Sequence, residues 1–229
     1  MVFAPTGGPL VVLAHESERL ATRIGVALAE TGLQPLHARQ GATAVRLIES
    51  KRPAAAVLDV GLPEIMSFQI IERMRGRPEL EDVKVVLVAS VYNKTAYKRR
   101  PTSLYGADDY VEQHHVHDLL PRKLCALLGL PEPTRQAVLA RVDGADTRAD
   151  LGPSARVRAL ARSIAADVVL YHGEELAAVR AGHPSVKLDR ALEEGRLLLA
   201  ELAVGADVTG DPVRDAFDTL LRGLPGAHA

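Results

Sequence analysis

At 229 residues with 47% hydrophobic content, the chain is long enough for two modest domains, each with a packed core. A formal charge of −1 and a pI near 6.7 exclude a globally cationic surface for nucleic acid or anionic membrane; the single cysteine, Cys125, excludes an intrachain disulfide and a one-chain thiolate zinc cluster. Aromatics are only 3% and tryptophan is absent, which argues against a stacking platform for single-stranded nucleic acid.

Leu10 to Ala14 is a compact apolar run of strand length, followed by polar His15-Glu16-Ser17 and a helical pattern of Leu20, Ile24, Ala27 and Leu28 that Gly32 ends. Leu33 to Ala38 reads as a second strand, and Ala42 to Ser50, with Ala44, Val45 and Ile48, as a second helix. Pro53 introduces a third strand, Ala55 to Leu58. Beyond it Phe68, Ile71 and Met74 share one helical face, and Val83 to Ala89 is a fourth strand. The pattern weakens from Ser90 to Gly106, then Tyr110-Val111 supplies a fifth strand and Leu119 to Leu128 a fifth helix, with Cys125 on its apolar face. Apolar strands alternating with amphipathic helices predict an α/β fold with a doubly wound, five-stranded parallel sheet.

Leu130 to Pro153 carries no sustained period and reads as a linker with one short helix at Arg135 to Val142. Three helical segments follow, each with a start signal: Pro153-Ser154, Pro184-Ser185 and Asp211-Pro212. Seventy-odd residues of helix bury little surface alone, so this small all-α module is expected to dock on the first domain or to form a homodimer with its copy. Gly195 within the second of these helices costs about 1 kcal/mol relative to Ala and marks an expected close helix crossing or a partner contact. From Asp150 onward there are 9 basic and 12 acidic residues, a net of −3, which disfavours a DNA-binding output domain.

Chemistry concentrates at Asp59, a carboxylate at the carboxyl end of the third strand, where open parallel sheets bind ligands. An Asp capping the next turn is the commoner meaning of such a residue, and its surroundings favour function. The landmarks LAHES, VLDVGLP, KVVLVAS and YGADDYV, spaced across residues 9 to 129, make this region resemble the receiver domain of bacterial response regulators. The resemblance implies sheet order 2-1-3-4-5 (flavodoxin-like), a phosphoacceptor at Asp59, and a histidine kinase among the partners. It divides the chain into a receiver at 9–129, a linker at 130–153 and a helical module at 154–229.

The supporting residues depart from the family pattern. His15 and Glu16 stand where the family has two acidic residues, which leaves Glu16, Asp59 and the Gly61 carbonyl as a weak magnesium site or none. Ala89, with Ser90 one place late, replaces the hydroxyl of the fourth strand; Gln113 replaces the lysine of the fifth; Tyr110 matches the aromatic switch position. A charge-assisted hydrogen bond contributes about 1.5–3 kcal/mol, and a full two-state switch needs about 5.5 kcal/mol, so these losses impair switching. Lys94, Lys98, Arg99 and Arg100 after the fourth strand read as a solvated loop or as a surface for an acidic partner or a phosphate, partly replacing the missing lysine. His114, His115 and His117 suggest a metal, but with no carboxylate or thiolate evident nearby they read as solvated or helix-capping.

The reading that follows is a two-component-type signalling protein, not an enzyme and without catalytic residues, whose atypical receiver acts by binding signalling proteins. The alternatives are a phosphorylation-competent regulator using Asp59 and, more weakly, a transcriptional regulator. No phosphate-cradling glycine loop follows the first strand. No apolar run reaches membrane-spanning length and the start lacks a signal-peptide pattern, so a cytoplasmic protein without membrane or nucleic-acid partners is expected.

Overall fold

A computed structural model describes residues 7–89, 101, 103–131, 133, 151–203, 205–206 and 208–224. Five parallel strands, β1 (Leu10–Ala14), β2 (Gln34–Ala38), β3 (Ala55–Asp59), β4 (Lys84–Ala89) and β5 (Asp109–Glu112), pair in the order β2-β1-β3-β4-β5. This is the predicted order, and the register sets Asp59 beside Val88 and Ala89 beside Glu112.

Period-two alternation splits the strands between two cores. Val11, Leu13, Ala55, Val57, Val86, Val88 and Val111 face one side, where α1 (Glu18–Glu30) and α4 (Val116–Leu127) bury Leu20, Ile24, Leu120 and Leu124 over them. Val12, Ala14, Ala56, Leu58, Val85, Leu87 and Ala89 face the other, under α2 (Gly41–Lys51) and α3 (Ser67–Arg75).

A third helix in this second core comes from the C-terminal module. Among the described residues the module holds four helices, α5 (Pro153–Tyr171), α6 (Gly173–Arg180), α7 (Val186–Leu202) and α8 (Pro212–Gly223), one more than predicted. The extra one, α6, is eight residues with a single buried side chain, Leu176, too short to give a periodic signal. The start signals act as expected: Pro153 opens α5, the Ser185 hydroxyl accepts from the Leu188 N–H at 3.3 Å, and an Asp211 oxygen accepts from the Arg214 N–H at 3.0 Å.

Helix α5 is buried on nearly every side. Val157, Leu160, Ala161, Ile164, Ala165, Val168, Val169 and Leu170 join the second core, and α7 and α8 pack against the same helix. Gly195 is the crossing point of α7 over α5: a Cβ there would lie 2.7 Å from the Ile164 Cγ2. Docking onto the first domain is thus the arrangement adopted. At its far end the Tyr105 hydroxyl donates to the Val169 carbonyl at 3.1 Å, and the Tyr105 ring tilts against Phe68 with centroids 4.8 Å apart. Tyr105 sits at φ +51°, a left-handed conformation costly for a bulky residue, and these two contacts hold it there.

The expected short helix at 135–142, most of the linker, Ser90, Lys94, Lys98, Arg99 and Arg100 lie outside the described residues. Among the described residues no helix is long and apolar enough to cross a membrane.

His117 is not solvated as expected: it is buried at 6% exposure in the first turn of α4, and neither ring nitrogen has a hydrogen-bond partner. Buried unpaired polar atoms cost about 1–3 kcal/mol. His117→Leu is therefore expected to stabilise the protein by about 1 kcal/mol, read as a higher urea midpoint at unchanged slope.

Candidate functional site

The site is built from the carboxyl ends of β1 and β3, where strands stop and chain direction must change. Past β1 the chain turns into α1 through Ser17, whose hydroxyl accepts from the Leu20 N–H at 3.3 Å. The Ser17 N–H in turn donates to the His15 Nδ1 at 2.9 Å. With Nδ1 an acceptor, the neutral ring carries its proton on Nε2, which faces the Asp59 Oδ2 at 3.5 Å. Both side chains are fully buried. The other oxygen, Oδ1, accepts from the Gly61 N–H at 3.1 Å, so Asp59 does cap its own turn.

Glu16, the remaining acidic residue after β1, bonds to a residue from the other end of the chain. Arg162 of α5 donates from Nη2 to the Glu16 Oε2 at 2.7 Å and from Nε to the Gly61 carbonyl at 3.3 Å. The pair is shielded, with side-chain exposures of 19% for Arg162 and 15% for Glu16. Gly61 makes this approach feasible: a Cβ on it would lie 2.7 Å from the Ser163 Oγ and 3.1 Å from that residue's backbone N and Cα.

This geometry bears directly on magnesium. Two of the three oxygens expected to ligate it, those of Glu16 and Gly61, are donated to by a guanidinium. A divalent cation beside Arg162 would meet a like charge and compete for the same lone pairs. With α5 docked, the residues do not fit a magnesium ion.

The other predicted positions are spread along the same edge. Ala89 is buried at the end of β4. Tyr110 is half-buried against the second core, with the Lys123 ammonium 5.7 Å from its ring centroid and paired to Asp109. Gln113 opens a 3-10 turn, Gln113–His115, that continues into α4. The three histidines part company here: His117 points into the core, while the His114 Nε2 lies 3.2 Å from the Glu112 Oε2. The carboxylate thought missing from this cluster is Glu112, two residues before His114. Arg162 was missed altogether, since in the sequence it is one arginine among several on a helix.

The fold and pocket define a class first: an α/β protein with a buried acidic site at the tips of its first and third strands. No family model matches the chain. It is similar to the transcriptional regulatory protein PrrA of Mycobacterium tuberculosis, 28% identical over 218 residues covering 93% of this chain and 86% of that protein. It is also similar to the probable transcriptional regulatory protein TcrX of the same organism, 31% identical over 124 residues and 53% of this chain, about half of TcrX. Among solved structures, a receiver domain of a signal transduction histidine kinase from Syntrophus aciditrophicus matches 58% of this chain and 99% of its own at 26% identity and TM-score 0.47. A magnesium-bound receiver domain of a sensor histidine kinase from Pseudomonas aeruginosa covers 53% at 20% identity and the same score. β1 through α4 form a receiver-type fold, and the chain is similar to response regulators over that region.

Gly61 has an ordinary negative φ, so any effect of a methyl there comes from its collision with α5. Gly61→Ala is expected to cost about 1–3 kcal/mol in equilibrium unfolding. Gly76→Ala, whose Cβ would meet nothing nearer than 3.5 Å, is the control and should stay within about 0.5 kcal/mol of the parent.

Proposed function

We propose that this protein is an atypical response regulator whose receiver is a binding platform, its acceptor pocket closed by its own C-terminal helices and its output protein–protein interaction. The domain plan that goes with this is a receiver at 9–129, a linker at 130–153 and an interaction module at 154–229. The single observation that carries the reading is Arg162 hydrogen-bonded to Glu16 and the Gly61 carbonyl. An internal cation is held where a phosphoryl-transfer site needs an exchangeable one. The sealed surroundings of Asp59 point the same way, because a phosphodonor must reach the carboxylate along an open line. Partners are other signalling proteins, a histidine kinase among them. The protein is expected to have no turnover of its own.

Intact-mass analysis after incubation with a small-molecule phosphodonor and magnesium tests this. The parent is expected to remain unmodified. Arg162→Ala, which frees both oxygens, is expected to gain detectable magnesium affinity. Stoichiometric acyl phosphate on the parent, lost in Asp59→Asn, would instead establish the phosphorylation-competent alternative.

A second reading, transcriptional regulation, is favoured by the similarity to PrrA, which spans both the receiver and the helical module. The net charge of −3 from Asp150 onward weighs against it, because duplex binding depends on cationic neutralisation of phosphates. In gel-shift assays at two salt concentrations no retardation is expected. A complex that weakens steeply with salt would move the assignment to DNA.

A further inference from the structure

We propose a second, unrelated site in this protein: a binding site for a borderline-soft divalent cation, zinc in class, formed by Glu112, His114 and His115 at the end of β5. One donor atom from each of the three lies within 4.8 Å of the others. The backbone explains why. Glu112 is the last residue of an extended strand, and residues 113–115 form a single 3-10 turn. Side chains three apart eclipse on such a turn, which aligns His115 with Glu112 and sets His114 beside both. The Glu112 Oε2 and His114 Nε2 are 3.2 Å apart, close to the separation of two ligands on a tetrahedral zinc ion with bonds near 2.0–2.1 Å. The His114 and His115 rings are 4.0 Å apart between centroids, so a rotamer adjustment of exposed His115 completes the triad.

The donor set chooses the metal. Two imidazoles and one carboxylate suit zinc and its neighbours, whereas magnesium demands oxygen ligands and octahedral geometry. Three protein ligands leave a fourth position to water or to a donor from a partner protein. The surroundings favour binding: Glu112 is held at 16% side-chain exposure while His114 stays open at 33%, so the carboxylate is positioned and the metal has a route in. A plain surface Glu–His pair would bind nothing saturably. The site does not depend on how Asp59 is used, so the phosphodonor experiment does not decide it.

Isothermal titration of the full chain, free of any affinity tag, with zinc, and with cobalt as a spectroscopic probe, tests the site. The expected result is saturation at one ion per chain, cobalt bands of low coordination number, and no displacement by excess magnesium. Removing an outer-shell partner typically weakens metal binding about 10- to 100-fold, so loss of a ligand in His114→Ala or His115→Ala should weaken it at least as much. His115 is exposed, so that variant leaves the core intact; circular dichroism confirms the fold of each. His117→Ala, which removes the buried histidine, should bind as the parent does. Absence of saturable zinc binding, or binding unchanged in both His114→Ala and His115→Ala, would overturn the site.

Discussion

The contact on which the rest of the arrangement turns is the approach of α5 to Gly61. A helix backbone can come this close to a strand-end loop only where the loop residue lacks a side chain. That approach carries Arg162 to Glu16 and to the Gly61 carbonyl, joining residues 146 and 101 positions apart in the chain. Two devices that are separate in sequence, an acidic pocket and a helical module, thereby become one structure.

Magnitudes separate what holds the module from what aligns it. Each fully buried Val, Leu or Ile contributes about 1.5–3 kcal/mol, and α5 alone places Val157, Leu160, Ile164, Val169 and Leu170 in the shared core. One partly buried ion pair competes poorly with that sum, since burying the charges offsets much of their attraction. Apolar burial therefore keeps α5 in the second core, and the ion pair with the tight Gly61 contact fixes its position. The Tyr105 bond to the Val169 carbonyl fixes the other end. A helix fastened at both ends cannot slide by a turn without leaving Arg162 half-buried and unpaired.

Much of this was legible in sequence, for identifiable reasons. The doubly wound parallel sheet followed from apolar runs such as Ala55–Leu58 and Val83–Ala89, which are buried on both faces and alternate with helical periods, and its strand order from the resemblance to receiver domains. Gly195 announced a helix crossing because glycine within a helix is unfavourable unless space demands it. The departures at His15, Ala89 and Gln113 could be read because their neighbours fix the alignment. What could not be read is whatever depends on long-range placement: an arginine on an amphipathic helix has no local signature, and α6 is too short for one. Glu112 was a different failure: it ends β5, one residue past the expected strand Tyr110-Val111, and the turn at 113–115 that brings it to the histidines left no periodic signal.

The replacement of the acidic pair by His15 and Glu16 then has a physical sense that neither residue shows alone. A pair of carboxylates beside Asp59 requires an external divalent cation to offset three negative charges in a small volume. Here the His15 Nε2 lies 3.5 Å from one Asp59 oxygen and the Gly61 N–H donates to the other, so an imidazole stands beside the carboxylate where a second acid would add repulsion. Glu16 is left with a single charge, and Arg162 supplies its counterpart from the module. Each change reduces the pocket's demand for metal by the same logic, replacing an exchangeable charge with a tethered one. A tethered charge carries no information about the surrounding ion or phosphoryl supply. What it can respond to is displacement of the helix that bears it.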